Sequence, residues 1–124
     1  GDILIEEGQD KAALGQWVLT LRPIEGKRIR KESDWASVDL SKVKYPMLWR
    51  GWRAGDAFYP IGLGHRKKVS DFLVDGKVSQ IEKNSVTVLQ SGNEVVWVVG
   101  YRMDERYKVT SNTNSVLEIH LTRI

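Results

Sequence analysis

The chain has 124 residues, close to the usual size of one domain and long enough to bury a hydrophobic core without disulfide or metal staples. It contains no cysteine, which excludes a disulfide scaffold, a cysteine-ligated zinc site, an iron–sulfur cluster and a thiol nucleophile. With 41% hydrophobic and 28% charged residues and a formal net charge of +3, its composition is neither that of a disordered chain nor that of a membrane-spanning one.

Short apolar runs in the first half of the chain predict β-strands. Trp17–Leu21 has the character of a buried strand, whereas Ala36–Leu40 alternates apolar and polar residues. A third run, 47–53, follows Pro46 and interleaves aromatic with basic side chains.

A β-hairpin is the strongest local prediction. Val86–Leu89 and Val95–Val99 flank Ser91-Gly92-Asn93, and glycine and asparagine supply the positive φ that tight turns need. Because the run 95–99 is apolar at every position, we expect it in the middle of the core.

Two more strands are predicted toward the C-terminus, over Tyr107–Thr110 and Val116–Leu121. In the second, Leu117, Ile119 and Leu121 form a purely apolar alternate set. We expect that set to face the core, which places the other set, with His120, on the outer face.

Two helical turns interrupt the strands. Val69, Phe72 and Leu73 have the spacing of one helical face, and Gly76 follows where a helix end favours a left-handed residue. A second turn is predicted at 79–83. The sequence therefore predicts an α+β fold, a β-rich single domain over 1–124 with sandwich-like sheets and one or two short helices; whether 1–35 is only a leading segment stays open.

Positive charge is unevenly distributed. Residues 1–10 hold four carboxylates and no basic residue, so the rest of the chain carries a net charge of +7. The basic residues cluster at 27–31, 50–53, 65–68 and 102–108. Such a surface favours binding of a polyanion such as RNA. The alternative is a basic face that is simply solvated and binds no partner.

The loop 55–68 is the best candidate site. Its glycines let a backbone approach a ligand closely, and it leads into a predicted helix N-terminus. Arg66, Lys67 and Lys68 add three cations there, which predicts an anion site. A surface loop with lysines kept for solubility is the alternative.

Patterns for catalysis are weak. His65 and His120 are the only histidines and lack metal-ligand spacing, and the chain has no dinucleotide fingerprint, P-loop or nucleophile elbow. Asp71 and Asp75 share a helix face, where pairing with nearby lysines explains them better than acid–base chemistry does. We expect no metal or cofactor in this domain and no catalysis by it alone.

Five tryptophans raise the question of base stacking. Trp17 and Trp97 lie in apolar strands and are expected in the core. Trp49 and Trp52 alternate with arginines, and we favour packing for most of their surface as well.

A series of short motifs runs from about Ala36 to the C-terminus. In chain order they are Arg50-Gly51-Trp52-Arg53-Ala54-Gly55-Asp56, Phe58, Pro60, Gly62, Gly64, 67–73, Asp75, Lys77, Val78, 95–102 and 104–110. In this order they resemble the C-terminal domain of bacterial tRNA(Ile)-lysidine synthetase. The chain departs from that family at Ala54, where proline is frequent, and at Ala57, where a basic residue is frequent.

The resemblance implies a tRNA-binding domain of the PheT/TilS type, a fold shared with the phenylalanyl-tRNA synthetase β subunit. Its parent enzyme is a ligase that uses ATP, with magnesium, to attach lysine to the wobble cytidine of tRNA(Ile). That chemistry belongs to an N-terminal PP-loop domain, so this domain is expected to dock the acceptor stem of the tRNA. Since the sequence begins at Gly1 without a leader, we expect a fragment of a cytoplasmic protein.

The predicted RNA-binding residues are Arg50, Arg53, Arg66, Lys67, Lys68, Arg102, Arg106 and Lys108. Lysines act as point charges on phosphates, and arginines make two-pronged contacts to phosphate or guanine. The alternative function is a module that docks on its own catalytic domain or on a second copy in a homodimer, without touching RNA. For a third, a stand-alone hydrolase, the residue inventory offers no support.

Overall fold

A computed structural model describes all residues, 1–124. The strands are, in chain order, β1 (Ile3–Ile5), β2 (Lys11–Leu14), β3 (Trp17–Glu25), β4 (Trp35–Asp39), β5 (Met47–Gly51), β6 (Ala57–Phe58), β7 (Lys67–Lys68), β8 (Thr87–Ser91), β9 (Glu94–Val98), β10 (Arg102–Met103) and β11 (Ser115–Arg123). The α-helices are α1 (Val69–Asp75) and α2 (Gln80–Lys83), and two 3-10 turns span Leu40–Lys42 and Glu105–Tyr107. None of these helices has the length and apolar character needed to cross a bilayer.

Two antiparallel sheets share one large core. The first has the order β1-β5-β8-β9-β10 and the second β2-β3-β11-β4, as the predicted sandwich requires. The first 35 residues contribute strands to both sheets: β1 pairs with β5, and β3 pairs with β11 along its whole length. Strands from the first 35 residues are therefore hydrogen-bonded into both sheets.

The predicted hairpin is confirmed. Strands β8 and β9 pair with Ser91 opposite Glu94, so Gly92 and Asn93 form the turn, and Gly92 has φ +55°. The run 95–99 is buried because both faces of β9 are covered. One face packs in the core between the sheets, and the other packs beneath helix α1 in a smaller cluster that includes Phe58, Val69 and Leu73.

The tryptophans serve mainly in packing, as predicted. Trp49 and Trp97 are fully buried in the core between the sheets, and Trp17 packs against its edge. Trp52 packs on the cluster beneath α1, and its indole N–H donates to the carbonyl oxygen of Lys83 at 2.7 Å.

One strand prediction was wrong. Residues 105–107 form a 3-10 turn, begun by the Asp104 side chain, instead of a strand over 107–110. In β11 the apolar set faces the core as predicted, with Leu117 and Ile119 in the core between the sheets. The other set is not exposed, however, because Val116 and Glu118 are as buried as Leu117 and Ile119. The outer face of β11 is covered by the segment 27–34, here called the strap, whose Arg28 and Arg30 bind Glu118.

The left-handed residue after helix α1 lies one position later than predicted. Gly76 has φ −78°, whereas Lys77 takes the left-handed conformation with φ +58°. The N–H of Lys77 donates to the carbonyl of Val74, and the N–H of Val78 donates to that of Leu73. This is the Schellman pattern of hydrogen bonds with a lysine where glycine is usual. The second predicted turn, α2, is confirmed, with the Ser79 side chain as its N-cap.

Candidate nucleic-acid interface

The guanidinium of Arg50 lies in the interior, although we predicted that it would contact RNA. The residue is only 5% exposed. It donates to both carboxylate oxygens of Asp56, to the side-chain oxygen of Gln90 and to the carbonyl of Gly51, at distances of 2.9–3.1 Å. Because these contacts use its donors, we remove Arg50 from the candidate RNA-binding set.

Asp56 links this buried arginine to the loop that follows. Its side chain also accepts from the backbone N–H of Arg53 at 2.7 Å, and its carbonyl accepts from the N–H of Val69 at the start of α1. Burial alone raises the pKa of Asp56, but the hydrogen bonds from Arg50 and Arg53 outweigh it, so the pKa is lowered. The carboxylate therefore stays charged and holds the bend at Gly55 against the helix.

A second buried carboxylate, Asp104, anchors the glycine-rich part of the loop. It accepts hydrogen bonds from the backbone N–H of Tyr59 at 2.8 Å and from the Arg106 backbone and guanidinium at 2.7–3.0 Å. Nearby, the N–H of Ile61 donates to the carbonyl of Met103. These contacts bring the loop 59–66 beside β10, which the sequence places about forty residues away.

Four more predicted residues form ion pairs with nearby carboxylates. The pairs are Arg53 with Asp2, Lys67 with Asp75, Arg106 with Glu94 and Asp104, and Lys108 with Glu105. Exposed pairs of this kind contribute about 0–1 kcal/mol and exchange partners readily, so the long side chains can still turn toward a phosphate. Arg106 is the exception, because its partner Asp104 is fully buried and the hydrogen bonds that the guanidinium donates to that carboxylate raise the pKa of Arg106.

Three predicted residues have no carboxylate partner. Arg66 and Lys68 are exposed at the end of the loop, and Arg102 is exposed on β10, with its guanidinium 5.5 Å from the Phe72 ring centre. No ion pair involves any of the three. They therefore present positive charge at the surface that no carboxylate neutralises within ion-pair distance, and phosphate binding needs such charge.

Three adjoining depressions connect these cations. The first, about 530 Å³, is lined by residues 65–68 and by Asp71, Val74 and Asp75 of α1. The second, about 330 Å³, shares Lys67 and Asp75 with the first and reaches Arg102. The third, about 600 Å³, shares Tyr101 and Arg102 with the second and extends to the strap. We call this continuous surface the cationic track; Arg53 and Arg106 do not line it.

The track contains two cations that sequence reasoning did not select. Arg30 and Lys31 of the strap line the third depression opposite Arg102 and Lys108. The basic cluster at 27–31 was visible in the sequence, but it lies upstream of the motifs that carried the resemblance. Nothing local showed that the strap would fold across β11 and face β10.

Comparison with known proteins identifies relatives over most of the chain. A family model described as "TilS substrate C-terminal domain" matches residues 47–120. The tRNA(Ile)-lysidine synthase of Parabacteroides distasonis is 41% identical over 92 residues, covering 74% of this chain and 21% of that protein. The protein of the same name from Symbiobacterium thermophilum is 32% identical over 112 residues, 90% of this chain and 23% of the relative. The chain thus spans about a fifth of the length of these relatives.

A solved structure shares the fold over the full length. It is described as the crystal structure of a TILS C-terminal domain, and it superposes with a TM-score of 0.82 at 18% sequence identity, covering 100% of this chain and 98% of the other. This likeness confirms the predicted fold class, and the family model and relatives confirm the resemblance seen in the motifs. The chain belongs to the family of TilS substrate C-terminal domains.

Proposed function

We propose that this chain is the tRNA-binding part of a tRNA(Ile)-lysidine synthase. In this proposal it holds the acceptor stem of tRNA(Ile) while an N-terminal catalytic domain uses ATP, with magnesium, and lysine to modify the wobble cytidine. The observation that carries the proposal is the cationic track, in which Arg66, Lys68 and Arg102 lie on connected depressions without carboxylate partners. The choice of tRNA as the ligand follows from the names of the relatives, which are tRNA(Ile)-lysidine synthases.

The chemistry of the track suits an RNA helix. Side chains cannot read the deep, narrow major groove of A-form RNA, so recognition relies on phosphates, 2′-hydroxyls and shape. Lys68 provides a mobile point charge for backbone phosphates, and the arginines provide flat, two-pronged donors. Lys67 can join them when a phosphate replaces Asp75 as its partner, since an exposed ion pair is weak.

The direct test is tRNA binding by the chain across a series of salt concentrations. We expect the double variant Arg66→Ala/Lys68→Ala to bind more weakly and to lower the slope of log K against log salt by about 1.4–1.8, from about 0.7–0.9 per phosphate contact. Lys11→Ala/Lys42→Ala removes the same charge from exposed lysines outside the track and is the matched control. Equal slopes for the two double variants would remove the loop from the interface.

The alternative function, a docking module for the catalytic domain, has one observation in its favour. Val74 on α1 and Ile81 on α2 are 57% and 85% exposed, and apolar side chains at the surface are the kind that protein partners cover. Analytical ultracentrifugation of the chain mixed with the separate catalytic domain distinguishes the two functions. A complex that forms without RNA, from a chain with no affinity for RNA, would favour the docking module.

A further inference from the structure

The third depression of the track has largely apolar walls. It runs between strap residues 29–33, with Trp35 behind them, and residues 101–103 of the opposite sheet. Ile29 on one wall is 52% exposed, and Ile61 and Met103 line the other. We call this depression the strap groove. Its volume of about 600 Å³ is in the range of sites that bind ligands of several rings.

The rim of the strap groove is positively charged. Arg30, Lys31, Arg102 and Lys108 line it, and Glu32 is the one carboxylate among the lining residues. Lys31 and Arg102 have no ion-pair partner. The groove therefore combines apolar walls with an excess of cations.

Of the other two cations, Arg30 is only partly neutralised and Lys108 is paired. The Nε of Arg30 lies 3.2 Å from a carboxylate oxygen of Glu118, but Arg28 binds the same oxygen at 3.0 Å, so two cations share one negative charge. Lys108 is neutralised by Glu105.

The Arg30 guanidinium provides a flat stacking surface in the groove. The Trp35 ring is covered on both faces, by His120 with centroids 4.0 Å apart and by the Arg30 guanidinium 4.3 Å from the ring centre, so the exposed side of that guanidinium is the surface left for a base. Planar guanidinium groups and aromatic rings are the surfaces on which unpaired bases stack. A base within a duplex is covered above and below by its neighbours and cannot use them.

We infer that the strap groove binds an unpaired, single-stranded segment of the RNA that lies on the rest of the track. This inference rests on the proposed function, because it takes RNA as the ligand of the neighbouring depressions. Tyr101 and Arg102 line both the groove and the depression beside it, so a strand that leaves the end of an RNA helix enters the groove without crossing a gap. Bases stack in the groove, and Lys31 and Arg102 contact the flanking phosphates.

The test compares two RNA hairpins with the same stem, one with blunt ends and one with four unpaired nucleotides at its 3′ end. We expect the extension to tighten binding by the chain at least about fivefold, the low end of what stacking one base contributes. Ile29→Ser removes an apolar wall without changing charge, and we expect it to abolish this gain while binding of the blunt hairpin stays unchanged. Ile81→Ser, at a more exposed isoleucine outside the track, is the matched control and should keep the gain.

Photo-crosslinking gives a second readout. With 4-thiouridine in the extension, we expect crosslinks to peptides containing residues 29–35 and 101–103. Equal binding of both hairpins, or an extension effect that Ile29→Ser does not change, overturns the groove assignment and leaves the proposed function standing. Failure to bind either hairpin overturns the proposed function too. Binding of a glutamate-rich peptide without preference for the extended hairpin assigns the groove to a protein partner and also overturns the inference.

Discussion

Arg50 and Asp56 form a two-pronged ion pair, with each guanidinium Nη atom 2.9 Å from a different carboxylate oxygen. The pair joins the end of β5 to the bend that carries the loop 55–68. Because Asp56 also accepts from the backbone on both sides of that bend, the position of the exposed cations depends on a residue that cannot itself reach RNA.

Loss of the Arg50 guanidinium is expected to destabilise the fold strongly. Arg50→Met leaves Asp56 without its partner, and removing one member of a buried pair costs about 3–5 kcal/mol of unfolding free energy. Arg50→Lys keeps the positive charge but not the two-pronged guanidinium, so we expect an intermediate loss of unfolding free energy. Urea unfolding measures both. The control Arg22→Lys, at an exposed position of β3, should change stability by less than about 0.5 kcal/mol.

Glu118 makes stability depend on pH. Burial raises the pKa of its carboxyl, but the hydrogen bonds from Arg28 and Arg30 prevail, so the folded pKa lies below the ordinary value. This stabilisation is complete above the unfolded pKa of about 4.3 and is lost as pH falls through the folded value. We expect Glu118→Gln to be less stable than the parent at pH 7 by about 1–3 kcal/mol, with a smaller difference at pH 3.

Urea titrations at the two pH values measure that difference. Glu25→Gln, at an exposed glutamate of β3, serves as the control and should behave like the parent at both. If Glu118→Gln lost as much unfolding free energy at pH 3 as at pH 7, that result would contradict the ion-pair explanation.

Lys77 offers a stabilising substitution. A side chain at φ +58° is strained, whereas glycine takes this conformation freely, so Lys77→Gly is expected to raise the unfolding free energy by about 0.5–1 kcal/mol. Lys77→Ala keeps the strain and should gain nothing. At the neighbouring position, Gly76→Ala places a Cβ 3.3 Å from the Phe72 carbonyl and is expected to destabilise. Thermal unfolding of the three variants separates these cases.

Arg102 and Arg106 are expected to differ although both belong to the same basic cluster. Arg102→Ala should leave stability within about 0.5 kcal/mol of the parent and lower the salt slope of RNA binding by about 0.7–0.9. Arg106→Ala leaves the fully buried Asp104 without its guanidinium and should mainly reduce unfolding free energy. Urea unfolding and filter binding on both variants test this contrast. A loss of stability in Arg102→Ala but not in Arg106→Ala would contradict the prediction.

Local patterns in the sequence were sufficient to predict several elements. The Gly92-Asn93 turn defines the β8–β9 hairpin, the spacing of Val69, Phe72 and Leu73 defines α1, and the apolar run 95–99 indicates burial on both faces. Each of these properties depends on residues within about five positions of one another, where backbone preference and side-chain periodicity act directly.

Only the tertiary structure decided which charged residues face solvent. Arg50 and Arg53 lie three positions apart in one motif, yet the first is buried on Asp56 and the second is exposed beside Asp2. Glu118 is buried because the strap covers it, and Arg30 joins Arg102 in one groove for the same reason. The cost of burying a charge is offset only by a partner. For Glu118 the partners Arg28 and Arg30 lie 90 and 88 positions away in the chain, which no local pattern reveals.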